Sequence, residues 1–268
     1  MIVGAPFAEN LPDRAATIYH PQVKTRNGPD ADGALAWLRD SLRYRGVAGS
    51  LKYYGREFLD MLRDLTPERR KSRYGDIDFD FDHGVDTTWA TVSLRTRVRE
   101  WLSGGQYQAS EPVLFRRMLE SLAVAPDGFT FIDLGSGKGR ALLMACSYPF
   151  RRIVGMELLA ELNEVAVQNI ARYRGEEQRC FAIESHAGDA RRFDFPAEPT
   201  MLYLFNPFPR HVWREVLANA ERSLQAAPRE FYLIYHNPVH EDILRAQSWL
   251  KLIGGTYQFS LYEAVRRE

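Results

Sequence analysis

Phe131-Ile132-Asp133-Leu134-Gly135-Ser136-Gly137-Lys138-Gly139 is the stretch on which the fold of this 268-residue chain turns. A short run of β-formers, residues 129–134, ends on an acidic residue and a glycine-dense turn, and residues 141–146 then open a helix. Glycine has no Cβ, so the backbone of such a turn can approach a ligand closely. Strand, glycine turn and helix in this order begin a parallel α/β sheet. Such sheets bind ligands beyond the carboxyl ends of the strands, where the strand order reverses.

Spacing tests what the turn can hold. A phosphate-binding loop needs Gly-x-x-x-x-Gly-Lys-Ser/Thr. Here Asp133 stands where its first glycine belongs and Gly139 where its hydroxyl residue belongs, so the match fails twice. A dinucleotide fingerprint needs Gly-x-Gly-x-x-Gly, whereas Arg140 occupies the sixth position here. A structural loop is the remaining alternative for the turn taken alone.

The pattern downstream supports a sheet. Strands are expected at 152–157, 179–184, 200–205 and 230–235, with helices at 159–173, 212–224 and about 240–249. The continuous apolar run 200–205 suits a strand buried on both faces. Runs 250–254 and 257–265 read as a closing antiparallel hairpin. The expected fold is α/β, a Rossmann-like, seven-stranded, mostly parallel sheet with that hairpin at its C-terminal end. The division is a mainly helical N-terminal extension, 1–105, that covers substrate, and a binding domain, 106–268.

Polar residues at the ends of these strands form the candidate site: Asp133, Glu157, Asp189 and Asn206. Glu157 follows Gly135 by about 20 residues, where an acidic side chain accepts the hydroxyls of a ribose. Its alternative is a carboxylate at a helix N-terminus, favoured by the helix dipole.

Together these segments resemble class I, Rossmann-like methyltransferases dependent on S-adenosylmethionine. The acidic-Leu-Gly-Ser-Gly-Lys-Gly turn resembles the family's first motif, Val154-Gly155-Met156-Glu157 its second and Gly188-Asp189-Ala190 its third. The resemblance implies S-adenosyl-L-methionine as cofactor and S-adenosyl-L-homocysteine as product. It places Asp133, Gly135, Ser136, Gly137 and Gly139 at the methionine end, Glu157 on the ribose, and Asp189 with Ala190 at the adenine. Asn206-Pro207-Phe208 stands where the family keeps its catalytic motif, in a form shortened from Asn/Asp-Pro-Pro-Tyr/Phe. That longer form belongs to members that methylate nitrogen. An asparagine oxygen accepts an N–H and aligns the nitrogen lone pair, and Phe208 can lie against a cation. The alternative is a strand-terminating turn.

Tyr107-Gln108-Ala109-Ser110-Glu111 resembles the Tyr-x-x-Thr/Ser element of non-SET histone lysine methyltransferases. By that resemblance Tyr107 and Ser110 close over the cofactor; Ser110 also suits a helix cap before Glu111-Pro112. His236, after the fifth strand, is a candidate general base, although histidines there are more often structural, and with His240 it is too weak a basis for a metal site. Two other classes fit the same residues: a small-molecule O-methyltransferase using His236, and a non-catalytic S-adenosylmethionine-binding protein. A nicotinamide-dependent oxidoreductase is a further rival.

Asp76-Ile77-Asp78-Phe79-Asp80-Phe81-Asp82-His83-Gly84 fails as a calcium loop. Counted from Asp78, His83 stands at position six, where glycine is needed, and Trp89 at position twelve, where glutamate is needed. The alternation suits an edge strand or extended lid with one acidic face. Arg69-Arg70-Lys71-Ser72-Arg73 is expected to be solvated or paired with those aspartates, and helices are expected at 34–44 and 58–65. Lysine plus arginine equals aspartate plus glutamate at 35 each, which speaks against a dedicated nucleic-acid binder. Two scattered cysteines, Cys146 and Cys180, suit a reducing compartment. No secretory signal and no membrane-length apolar run is present, so a cytoplasmic protein is expected. The methyl acceptor is expected to be a small molecule or a protein.

Overall fold

A computed structural model of the chain describes residues 47–48, 77–88 and 109–265. The expected helices at 34–44 and 58–65, the basic run 69–73 and Tyr107 lie outside the described residues. The described elements begin with α1 (Ile77–His83) and α2 (Pro112–Ser121). There follow β1 (Thr130–Leu134), α3 (Arg140–Ala145), β2 (Arg152–Glu157), α4 (Ala160–Arg172), β3 (Ile183–Ala187) and a 3₁₀ turn, Ala190–Arg192. The remainder is β4 (Thr200–Phe205), α5 (Arg210–Ala226), β5 (Phe231–His236), α6 (Glu241–Arg245), β6 (Leu250–Gly255) and β7 (Phe259–Ala264).

The strands form one seven-stranded sheet in the order β3-β2-β1-β4-β5-β7-β6. Five strands run parallel; β7 pairs antiparallel with both β5 and β6. This is the Rossmann-like α/β fold expected from the sequence. The strand order reverses between β1 and β4, so the carboxyl ends of those two strands flank the natural binding crevice.

Burial follows from the two-residue period of strands. Phe131, Met201, Tyr203 and Ile234 face one core with Phe115 and Met118 of α2 and Leu142 of α3. Ile132, Leu134, Leu202, Leu204 and Leu233 face the other, with Trp213, Val216 and Leu217 of α5. Helices therefore cover both faces, which is why the central strands read as continuous apolar runs.

Three expectations are corrected. The segment around residues 76–82 is not an edge strand: Ile77–His83 is helical. Phe79 and His83, one turn apart, stack at 4.4 Å, and His83 stacks on Tyr173 at 5.1 Å. Asp80 turns inward to receive the N–H groups of Thr87 and Thr88 at 2.7 and 3.0 Å, so the aspartates do not share one solvent face. The third strand begins four residues later than expected, at Ile183. Arg179 and Cys180 instead donate their N–H groups to the Cys146 carbonyl at the end of α3, which holds them out of the sheet. The helix expected at about 240–249 is confined to Glu241–Arg245, because the chain then turns into β6.

Candidate active site

The glycine turn closes on itself and on β2. Gly135 and Ser136 donate their N–H groups to the Met156 carbonyl at 2.8 and 3.1 Å, and Gly139 donates to the Ser136 carbonyl at 2.8 Å. Gly137 donates to Glu157 Oε2 at 2.9 Å. Gly135, Gly137 and Gly139 have φ of 87°, 54° and 85°, left-handed values that side chains with a Cβ rarely adopt. The turn needs these glycines for its shape, yet four of its amide groups are spent within the protein. A phosphate cradle needs those amides free.

Two carboxyls stand beside the turn. Glu157 is buried, with Oε1 taking the Leu159 N–H at 2.9 Å and Oε2 that of Gly137. Its place before α4 therefore fulfils the helix-terminus alternative, and each oxygen keeps a lone pair for a hydroxyl. Asp133 is only 4% exposed, and its carboxyl has no hydrogen-bond partner among the described residues. Burial, reinforced by the neighbouring Glu157 charge, holds Asp133 well above the usual carboxylate range. Burial also raises Glu157, against the lowering effect of its backbone donors. A buried carboxyl without a donor is costly in the absence of a cation.

The corner after β4 meets the turn. A Cβ built on Gly135 would lie 2.5 Å from Pro207 Cβ, so Asn206-Pro207-Phe208 and the glycine turn are in contact across the reversal point. Asn206 has φ of 41°, and its Oδ1 accepts the Tyr235 hydroxyl at 2.9 Å. Tyr235 oxygen in turn accepts the His240 N–H at 3.0 Å, which leaves the phenol hydrogen to Asn206 and fixes the orientation of the amide. Phe208 is half-buried, its ring edge-on to Trp213 at 5.7 Å.

The remaining residues divide. Ser110 is buried and shares a hydrogen bond of 2.7 Å with the Tyr203 hydroxyl, which lies 2.8 Å from His236 Nδ1. His236 stacks on Phe205 at 3.7 Å, and burial pushes its pKa down to about 3. A general base works best with a pKa near the working pH; His236 instead holds Tyr203 as a neutral ring. Asp189 caps the 3₁₀ turn and forms a two-pronged pair with Arg191, which lowers its pKa. Ala190 is buried against the second core. Ser136 Oγ is buried without a hydrogen-bond partner among the described residues and would lie 2.9 Å from a Cβ on Gly155.

Sequence reasoning missed Lys138 and Arg140. In a phosphate loop such a lysine reaches the ligand; here Lys138 is 1% exposed and donates to Asp86 Oδ1 at 2.9 Å and the Thr88 carbonyl at 2.8 Å. Arg140 donates to Thr87 Oγ1 and lies over the Phe79 ring. Nothing local could have shown this, because the partners lie about fifty residues upstream. Among the described residues no group of three or more histidine, cysteine, aspartate or glutamate side chains could hold a metal ion. Nor is any described helix long and apolar enough to cross a membrane.

No protein-family model and no curated protein matches the chain. Among solved structures it is similar to TrmN from Thermus thermophilus, at 21% identity and a TM-score of 0.43 over 57% of this chain; the match spans 49% of that protein. It is also similar to the glycopeptide N-methyltransferase MtfA complexed with S-adenosyl-L-methionine, at 12% identity and a TM-score of 0.46, covering 60% and 96% of the two chains. A third is an RNA methyltransferase from Salinibacter ruber in complex with S-adenosyl-L-homocysteine, at 20% identity and a TM-score of 0.39, covering 58% and 91%. The likeness of residues 107–111 to non-SET histone lysine methyltransferases gains no support from these matches. The expectation against a nucleic-acid partner rests on balanced charge alone.

Proposed function

We propose that the chain is an S-adenosylmethionine-dependent methyltransferase that acts on a nitrogen nucleophile of a protein side chain or a small amine. The carrying observation is the polarity of the glycine turn. Four of its amides are consumed within the protein while two buried carboxyls, Asp133 and Glu157, stand beside it. That arrangement repels a pyrophosphate and suits a ligand with an ammonium group and ribose hydroxyls but no phosphate.

Asp133, which has no hydrogen-bond partner among the described residues, fits the cofactor's ammonium, and the remaining lone pairs of Glu157 fit its ribose. When bound, S-adenosylmethionine supplies a methyl group activated by a sulfonium. Asp133 neutralises positive charge at the turn, Glu157 fixes both the turn and α4, and Pro207 walls the crevice from the other side. Asn206 Oδ1 has one lone pair left beyond Tyr235, which accepts an N–H of the acceptor and holds that nitrogen in line. By the resemblance of residues 107–111, Tyr107 and Ser110 are assigned to the cofactor end, and by that of residues 188–190, Asp189 with Ala190 to the adenine. His236 enters this reading only as the partner of Tyr203. The acceptor's identity belongs to the N-terminal residues 1–105 and the Asn206 corner.

The test is calorimetry of the full chain with S-adenosylhomocysteine, NAD and NADP. S-adenosylhomocysteine alone is expected to bind, and preferential dinucleotide binding would overturn the reading. Labelled methyl transfer into a fractionated extract, with mass spectrometry of the product, then identifies the acceptor. Binding without any transfer would leave a cofactor-binding protein in place of an enzyme.

A further inference from the structure

We infer that Lys138 and Arg140 are positioning residues that couple the affinity of the glycine turn for its ligand to the docking of residues 80–88. The ligand side of this inference rests on the proposed function; the docking itself stands on the geometry.

Lys138 and Arg140 bracket the last glycine of the turn, and both are cations that are almost completely buried, at 1% and 2% exposure. Neither charge is left to the crevice. Lys138 Nζ is held by Asp86 Oδ1 and the Thr88 carbonyl. Arg140 Nε donates to Thr87 Oγ1 at 2.6 Å and Nη2 to Asp80 Oδ1 at 3.1 Å. The Thr87 hydroxyl, fully buried, passes its own hydrogen to Asp80. A third strut comes from α4. Asn169 donates to the carbonyls of Asp86 at 2.7 Å and Lys138 at 2.9 Å, and its own oxygen accepts the Asp86 N–H at 2.9 Å. Backbone of the turn and backbone of the segment are thus tied to one side chain.

Two physical consequences follow. A buried cation deprived of a partner is strongly unfavourable, so docking of residues 80–88 stabilises the conformation of the turn. The turn carries the three left-handed glycines, Gly135, Gly137 and Gly139, whose shape sets the distance between Asp133, Glu157 and a ligand. A ligand that favours the closed turn must then favour the docked segment by the same factor, since coupling between sites is reciprocal.

The experiment uses the full chain and S-adenosylhomocysteine as probe, well below the melting temperature. Thr87→Val keeps the shape and removes the hydroxyl. It is expected to weaken S-adenosylhomocysteine roughly tenfold, while Thr87→Ser restores wild-type affinity. In the wild type, ligand is expected to slow hydrogen exchange across residues 80–88. If Thr87→Val only lowers the melting temperature and leaves affinity unchanged, the residue is merely structural and the inference is overturned. Should Thr87→Val fail to fold, Asp86→Asn, at a half-exposed position, carries the same expectation through Lys138. If the wild type binds no S-adenosylhomocysteine, the proposed function fails and a separate readout decides this inference. Faster exchange of the 135–139 amides in the ligand-free Thr87→Val or Asp86→Asn protein supports the coupling, and unchanged exchange refutes it.

Discussion

The corner at the ends of β1 and β2 and the corner at the ends of β4 and β5 face each other across the reversal point, and both need left-handed backbone. The first uses glycine, at Gly135, Gly137 and Gly139; the second uses asparagine, at Asn206 and Asn237, with φ of 41° and 53°. Asparagine tolerates that region and brings a side chain with it. At the first corner the backbone itself is wanted close, against Pro207; at the second the amide is wanted, oriented by Tyr235. Their ionisable groups differ in the same sense. The first corner buries carboxyls raised in pKa, whereas the second buries a histidine lowered to about 3.

The largest expected effect breaks the contact between the corners. Gly135→Ala meets both a left-handed φ of 87° and Pro207 Cβ at 2.5 Å, and is expected to lose about 3 kcal/mol in urea denaturation. Gly128→Ala, at φ 82° with nothing within 4 Å, is expected to lose only about 1 kcal/mol. Equal losses would show that Pro207 does not confine the turn.

Next in size, Asn206→Ala is expected to reduce methyl transfer about a hundredfold while S-adenosylhomocysteine binds as before. Full turnover would remove Asn206 from the acceptor's side of the site. Asp133→Asn reverses the pattern: ligand affinity falls by roughly tenfold or more, while the ligand-free protein becomes more stable at neutral pH. The sign follows from protonation. A carboxyl whose folded pKa is raised stabilises below its ordinary value of 3.8, and that contribution is lost as pH rises through the folded value. Asp133→Asn should flatten this decline.

The smallest effect lies at His236 and has the opposite sign. Its folded pKa is depressed from 6.5 to about 3, so its contribution is complete above 6.5 and is lost as pH falls toward 3. His236→Asn, which can keep a bond to Tyr203, is expected to reduce the loss of stability between pH 6.5 and 4, measured by urea midpoints. No inflection of the transfer rate near neutral pH should disappear with it.

What could be read from the sequence was what depends on local period. Strands β1, β2, β4 and β5 fall within a residue or so of their expected places because apolar runs flanked by polar ends have few other fates. The glycine turn and Asn206 corner were legible as motifs, and their contact followed from the topology. The helix Ile77–His83 was not, because its alternating aspartates imitate the period of a strand while Asp80 answers to Thr87, Thr88 and Arg140. The fate of Lys138 was equally hidden, since a lysine in a glycine turn looks the same whether it meets a ligand or a distant aspartate. The spending of the turn's amides depends on the register of β1 against β2, which no single segment encodes.

The placement of β7 between β5 and β6 has a consequence for assembly order. β5 and β6 share no ladder and are joined only through β7, which is later in the chain than either. Until residues 259–264 arrive, β5 is an open edge beside the very corner that carries Asn206, and Leu250 and Leu252 of β6 have nothing to pair with. Shortening the chain before residue 259 would therefore leave two raw edges, turning the sheet into a template for joining other copies.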